Sequence, residues 1–228
     1  MEPVAGWLQE RLGCSISDSG LLERALTHRS HSPENNERLE YLGDAVLTFI
    51  VAEILFRRFP AASEGELSRY RASLVSGEAL GAIAADIGLG ERLRLGEGEV
   101  KSGGQRRATI LADALEALLG AIFLDCGLDA ARTVAERLFR DALAALPAAS
   151  ELKDAKTRLQ EWLQGHGFAL PSYTVLEVTG EPHEQRFRVR CDVSDLAIAA
   201  VADGSSRRRA EQEAAQRVLE DPALRHAR

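Results

Sequence analysis

The stretch "NNERLEYLGDAVLTFI" at residues 35–50 combines three carboxylates with a run of large apolar side chains. As an α-helix of 3.6 residues per turn, it places Glu37, Glu40 and Asp44 within an arc of about 60°. The opposite side of that helix carries the apolar residues Leu39, Leu42, Val46 and Phe49. Because three like charges on one stripe repel one another, the helix needs a partner that offsets the repulsion.

A second acidic helix is predicted from "TILADALEALLGAIF" at residues 109–123, where nearly every other residue is apolar or small. A helix that is apolar all round is buried, and Asp113 and Glu116, three residues apart, share one of its faces. Gly120 continues that face without a side chain. Carboxylates removed from water are costly unless cations pair with them.

Two kinds of cation can satisfy these five acids. Arginines are one source, and the candidates are Arg38, Arg106 and Arg107. The other is a divalent metal, which we favour because the acids lie on two helices and one helix is otherwise apolar. All-oxygen ligands without His or Cys suit Mg²⁺, with Mn²⁺ as a substitute, and the missing histidine disfavours a di-iron bundle. Hard cations of this kind serve phosphate chemistry.

Length and composition describe a globular protein with one large or two ordinary domains. The chain has 228 residues, of which 45% are hydrophobic and 28% charged, so it is neither disordered nor fibrous. The most apolar stretch, residues 110–127, is interrupted by Asp113 and Glu116, which argues against a membrane span. The opening "MEPVAGWLQE" has no basic leader and no apolar run, so we expect no secretory signal.

The cysteines and the net charge limit the cellular compartment and the kinds of binding partner that we expect. Cys14, Cys126 and Cys191 are odd in number and lack metal-ligand spacing, which predicts buried free thiols in a reducing cytoplasm. The net charge is −7, and neither half of the chain is basic overall. Binding to a polyanion must therefore come from local clusters such as "RFRVR" at 186–190 and "RRR" at 207–209.

The spacing of apolar residues changes near residue 147. Up to that point it is helical nearly throughout, which predicts an all-α domain over 1–147. Within this domain Ser63 and Glu66 fit a capping box, and residues 95–107 are predicted to be a glycine-rich connection. Residues 148–155 are interpreted as a linker. Residues 156–228 follow the order α-β-β-β-α, typical of a small α+β domain.

Several long motifs resemble the ribonuclease III family. "NNERLEYLGDAVL" is similar to the family signature, and "KSGGQRRATILADALEALLGAIFLD" resembles its second conserved block. "LTHRSHSPENNERLE" and "FPAASEGELSRYRASLVS" match as well, in the same order. The resemblance covers essentially the whole chain, since residues 156–228 resemble a double-stranded-RNA-binding domain.

The resemblance implies a homodimeric, Mg²⁺-dependent endonuclease of double-stranded RNA. Such enzymes leave 5′-phosphate and 3′-hydroxyl ends with short 3′ overhangs, and they process ribosomal RNA precursors and structured messages. The residues that match the family's metal ligands are Glu40, Asp44, Asp113 and Glu116. Those that match its catalytic acids are Asp44, Glu116, Glu37 and Glu64. Glu64 is also a favourable acid in the first turn of its helix, and that reading stays open.

Three further positions allow two readings each. Tyr41 lies away from the core face and matches an aromatic residue that contacts the twin subunit in the family; the alternative is a half-buried tyrosine within its own domain. Lys101 either positions a phosphate or lies in a solvated turn. His28 matches a family motif, but without partner carboxylates or cysteines it is interpreted as a hydrogen-bonded structural residue.

The C-terminal domain is expected to contact two minor grooves and the phosphates between them. The residues expected at this interface are Thr157, Gln160 and Gln164 on the first helix, His183 in the loop 180–185, and Arg207, Arg208 and Arg209 opening the last helix. The last basic position of the family pattern is Glu211 here, which puts the RNA affinity in doubt. The alternative function is a non-catalytic RNA-binding protein on the same fold, and a helical phosphohydrolase ranks last.

Overall fold

The structure, a computed structural model, describes residues 4–148, 153–181 and 184–226. The chain divides into two compact units, Met1–Pro147 and Ala148–Arg228. Within the predicted linker, residues 149–152 lie outside the described part. In the described ranges no helix is long and apolar enough to cross a membrane.

The first unit is all-α, as predicted. Its helices are α1 Val4–Arg11, α2 Ser19–Ala25, α3 Glu37–Arg58, α4 Glu64–Leu74, α5 Gly77–Asp86, α6 Glu97–Lys101, α7 Ala108–Cys126, α8 Leu128–Leu138 and α9 Arg140–Ala144. The long helices α3 and α7 pack against each other at its centre. Ile50, Leu55, Leu118 and Ile122 are buried there, and the capping box of Ser63 and Glu66 is present at the start of α4.

Three predictions about this unit need correction. Phe49 was grouped with the apolar residues opposite the acidic stripe of α3, but it is 54% exposed. The reason is that α3 meets α7 through the side that carries Gly43, Val46 and Ile50. The connection 95–107 contains the short helix α6 and a 3₁₀ turn at Gly104–Arg106. The thiols are free as expected, yet Cys126, at the end of α7, is exposed and Cys14 is half-buried.

The second unit is a small α+β domain, as predicted. Its elements are α10 Ala155–Gly165, β1 Ser172–Thr179, β2 Arg186–Val193, β3 Ile198–Gly204, α11 Arg207–Glu220 and α12 Pro222–His226. The sheet is antiparallel in the order β1-β2-β3, and Cys191 pairs with Tyr173 and Ala200. Leu159 and Leu163 of α10 and Val218 of α11 are fully buried in the core beneath the sheet.

Candidate functional site

The backbones of α3 and α7 touch directly at a pair of glycines. A Cβ built on Gly43 would lie 1.8 Å from the carbonyl oxygen of Glu116, and one on Gly120 would lie 2.4 Å from the carbonyl oxygen of Leu39. Neither position accepts a side chain without movement of backbone. The glycines therefore allow the first turns of α3 and the middle of α7 to approach closely enough for their acids to meet.

Three carboxylates converge beside this contact. Glu40, Asp113 and Glu116 each offer an oxygen atom within 4.8 Å of the others, and all three side chains are half-buried. Burial, followed by the charges of Asp44, Asp113 and Glu40, raises the pKa of Glu116 to about 7. Burial also raises the pKa of Glu40 and of Asp113, and the charge of Asp113 adds to the rise at Glu40. The three carboxylates are therefore partly desolvated and repel one another.

Within its described ranges, the structure does not pair the three clustered carboxylates with the arginines considered from the sequence, although Glu37, outside the cluster, pairs with Arg29. Across the described residues, none of the four predicted metal ligands forms an ion pair. Arg107 instead pairs with Glu99 at 3.0 Å, and neither Arg38 nor Arg106 pairs with the cluster in the same part of the chain. Three unpaired, half-buried carboxylates with an all-oxygen donor set fit a hard divalent cation such as Mg²⁺.

The remaining predicted acids lie around this cluster. Asp44 is one turn beyond Glu40 on α3, and its side chain is exposed and accepts a long hydrogen bond of 3.5 Å from Thr48. Glu37 pairs with Arg29 at 3.4 Å. Glu64 accepts a hydrogen bond of 2.7 Å from the hydroxyl of Ser68 in the first turn of α4. The catalytic roles of Asp44, Glu37 and Glu64 remain predictions.

The segment that precedes α3 lies closer to the acids than the sequence predicted. His28 and Arg29 are close enough to Asp113 to lower its pKa against the larger effect of burial. Nδ1 of His28 lies 2.8 Å from Oγ of Ser30, and that oxygen accepts a hydrogen bond of 2.9 Å from the backbone N–H of Gly96. His28 is hydrogen-bonded, as expected, but it also lies beside the acids. Arg29 was not predicted at all, although it belongs to a motif that matched the family.

An apolar surface lies on the outer side of α3. Tyr41 is 82% exposed and Phe56 is 70% exposed, so the alternative of a half-buried Tyr41 is wrong for the single chain. A groove beside Tyr41 is lined by Leu21, Pro33, Arg38, Leu42 and Leu124. The exposed ring of Tyr41 beside a partly apolar groove indicates a candidate contact surface. Phe56 lies about four turns further along α3.

The predicted RNA-binding residues of the second unit lie along α10 and at the start of α11. Gln160 and Gln164 are exposed on α10, whereas the hydroxyl of Thr157 donates to Asp154 at 3.2 Å. Ser206 caps α11 by accepting a hydrogen bond from the N–H of Arg209. The side chains of Arg207, Arg208 and Arg209 are exposed in the first turn. His183 lies outside the described residues.

Each unit matches a known protein family. A model of the Ribonuclease-III-like family matches residues 18–143, and one of the double-stranded RNA binding motif matches residues 155–221. The chain is 53% identical to Ribonuclease 3 of Alkalilimnicola ehrlichii over 97% of both chains. It is 54% identical to Ribonuclease 3 of Dechloromonas aromatica, over 93% of this chain and 96% of that one.

Solved structures also match the first unit. The nuclease domain of ribonuclease III from Campylobacter jejuni is 40% identical, superposes with a TM-score of 0.60, and covers 64% of this chain and 100% of its own. A second structure of that domain, 43% identical with a TM-score of 0.58, is described as flexible in a region involved in dimer formation. It covers 59% of this chain and 95% of its own. The three converging carboxylates thus stand on a fold that is seen in ribonuclease III nuclease domains, and the chain belongs to the ribonuclease III family.

Proposed function

We propose that this chain hydrolyses phosphodiester bonds in double-stranded RNA with a divalent cation held by Glu40, Asp113 and Glu116. The observation that carries the proposal is the meeting of these carboxylates, half-buried and without ion pairs among the described residues. Mg²⁺ is the cation we propose, and Mn²⁺ is expected to substitute because it accepts the same oxygen ligands. Asp44, one turn along α3, is proposed as the fourth ligand.

A cation bound there supplies a metal-activated water and neutralises charge on the scissile phosphate. Glu40, Asp113 and Glu116 hold the cation in a partly desolvated site, where electrostatic attraction is stronger than in water. Glu37 and Glu64, which match the family's acidic valley, would orient waters around a bound cation. The products are a 5′-phosphate and a 3′-hydroxyl, because the oxygen of water attacks the phosphorus, the P–O3′ bond breaks, and the 3′ oxygen leaves and takes up a proton.

The second unit is proposed to hold the duplex for the nuclease unit. Exposed Gln160 and Gln164 are proposed to reach 2′-hydroxyls from one face of α10, and Thr157 is proposed to join them as an acceptor. Arg207, Arg208 and Arg209 stand at the N-terminus of α11, where the helix dipole and the guanidinium charges both favour phosphate. His183 is proposed as a further groove contact. By family membership, the proposed substrates are ribosomal RNA precursors and structured messages.

We also propose that two copies of the chain associate through the outer side of α3. Tyr41 and Phe56 are the most exposed large apolar side chains of the described residues, and a groove partly lined by Leu42 and Leu124 lies beside Tyr41. A second copy offers both a matching aromatic and a matching groove, which is what a twofold interface requires. A cytoplasmic setting is proposed too, and its support is the three free cysteines.

The decisive experiment is cleavage of an end-labelled perfect duplex, with and without Mg²⁺, by the wild type and by Glu116→Gln. We expect metal-dependent cleavage by the wild type, mapped ends of the stated chemistry, and a loss of about a hundredfold to a thousandfold in rate for the variant, which is the size seen when a key electrostatic group is removed. Glu97→Gln, which neutralises a carboxylate that is 92% exposed outside the cluster, is the matched control and should cleave normally.

Binding of the duplex without cleavage in Mg²⁺ or Mn²⁺ would instead favour the non-catalytic RNA-binding alternative. Full activity of Glu116→Gln would show that the carboxylate cluster is not the catalytic centre.

A further inference from the structure

Glu211 occupies the position at which the family pattern of the RNA-binding domain carries its last basic residue. It lies in the second turn of α11, and among the described residues it is the only charged side chain that is buried, at 9% exposure. A buried carboxylate is stable only where cations and hydrogen bonds satisfy it. Its partners therefore decide whether it weakens or supports RNA binding.

Two cations from two helices share this carboxylate. Oε1 of Glu211 accepts a hydrogen bond of 2.9 Å from Nε of Arg207, and Oε2 accepts one of 2.6 Å from Nζ of Lys156. The same Nζ lies 4.3 Å from the ring centroid of Tyr173, a cation–π distance. Burial raises the pKa of Glu211, but the bonds from Lys156 and Arg207 outweigh it and the net pKa is lowered. The carboxylate is charged and links α10, α11 and β1.

The geometry at Arg207 leaves its outer face available. The bond to Glu211 uses Nε, so both terminal NH₂ groups of the guanidinium stay unengaged within the described structure. The side chain is still 64% exposed. A guanidinium held at one edge presents a fixed fork of donors, the arrangement that binds a phosphate in a bidentate manner. Arg208 and Arg209 have no ion pair among the described residues, so neither is held in this way.

We propose that Glu211 is a positioning residue of the RNA interface: it holds the guanidinium of Arg207 for a backbone phosphate and fixes Lys156 beside it. The inference rests on the proposed binding of duplex RNA. The expected effect of Glu211 on RNA affinity is therefore opposite to what simple electrostatics predicts, because here a negative residue strengthens the binding of a polyanion. The entropy lost in ordering the long side chain of Arg207 is then lost on folding and not on RNA binding.

The test compares two variants that each remove one negative charge from α11. Glu211→Gln breaks the shared carboxylate, whereas Glu213→Gln alters a half-exposed residue whose contact is Arg217 at 3.5 Å. Affinity of the full chain for a fluorescent RNA duplex is measured in EDTA, which prevents cleavage. We expect Glu213→Gln to bind as tightly as the wild type or slightly more tightly. Glu211→Gln should bind about tenfold more weakly, or about 1.4 kcal/mol.

A double-mutant cycle separates positioning from a general structural effect. In an Arg207→Ala background, Glu211→Gln should change the affinity by less than about twofold, because its target is already gone. A loss of the same size in both backgrounds would overturn the proposal, since Glu211 would then act through the fold. Arg207→Lys, which keeps the charge but loses the fork, should lose affinity like Glu211→Gln. This second variant does not depend on how Glu211→Gln folds.

The remaining outcomes are also decisive. Binding by Glu211→Gln as tight as, or tighter than, that of the wild type overturns the inference alone, as does wild-type affinity of Arg207→Lys. Failure of the wild type to bind duplex RNA would remove the proposed function and the inference together.

Discussion

Gly43 on α3 and Glu116 on α7 are in backbone contact, so close that a Cβ on residue 43 would lie 1.8 Å from the carbonyl oxygen of Glu116. The contact joins the two acidic helices at the level where their carboxylates meet. Gly120 makes the reciprocal approach toward Leu39. The spacing of the carboxylate cluster therefore depends on residues that carry no functional group.

The first prediction concerns this contact. Gly43→Ala should lower the free energy of unfolding of the nuclease unit by about 1–3 kcal/mol or more, because an added methyl group forces the helices apart. It should also reduce cleavage, since the carboxylates would separate. Calorimetry and a cleavage assay measure both effects. Gly77→Ala is the control, because its Cβ would meet nothing within 4 Å; equal losses in both variants would contradict the argument.

Divalent cations should stabilise the nuclease unit. A cation that binds only the folded cluster adds about 2.7 kcal/mol when its concentration is a hundred times Kd. Thermal unfolding of the full chain in EDTA and in Mg²⁺ measures this gain, and Glu116→Gln should lose most of it. A gain of the same size in that variant would place the cation elsewhere.

Stability without metal should fall as the pH rises from about 4.5 to about 7. Burial raises the pKa of Glu116 from 4.5 to about 7, so the folded state binds more protons than the unfolded state in this window. The stabilisation is fully present below the unfolded pKa and is lost as the pH passes the folded one. After allowance for solvent screening we expect an effect on the order of 1–2 kcal/mol.

This pH dependence is measured by unfolding in EDTA at fixed ionic strength. Glu116→Gln cannot titrate at that position, so its stability should change less across the same window. The same pH dependence of stability in the wild type and in Glu116→Gln would show that the Glu116 carboxylate is not desolvated.

Tyr41→Ala should shift the protein from dimer toward monomer. The side chain is 82% exposed in the single chain, so its removal costs the fold little, whereas an aromatic anchor at the centre of an interface contributes about 2 kcal/mol or more to binding. Sedimentation equilibrium measures the change. Leu176→Ala, an exposed apolar residue of the second unit, should leave the association unchanged, and an unaltered dimer in Tyr41→Ala would exclude this surface.

Arg208→Ala should weaken duplex binding and reduce its salt dependence. Each lost phosphate contact lowers the slope of log affinity against log salt by about 1. Titrations at several salt concentrations give that slope. Arg217→Ala is the matched control, because Arg217 lies in the last turn of α11 and donates to the carbonyl oxygen of Val201 at 2.7 Å. Equal slopes for the wild type and Arg208→Ala would mean that this arginine touches no phosphate.

The sequence alone determined the helical class of the first unit, the α-β-β-β-α order of the second and the identity of the acids. Helical spacing around Glu40, Asp113 and Glu116 is a local property, and a carboxylate in an apolar helix is visible without coordinates. The length and order of the matching motifs gave the family. The capping box at Ser63 is likewise local and was predicted correctly.

Only the tertiary structure decided how these parts meet. Glu40 joins Asp113 and Glu116 because Gly43 lets the two helices touch, and a pairing between distant segments leaves no mark in either segment's periodicity. Phe49 was misplaced for the same reason: the buried side of a helix with apolar residues on several faces is chosen by its neighbour. From the sequence, the negative charge of Glu211 was expected to weaken RNA binding. In the structure that charge is paired with Lys156 and Arg207.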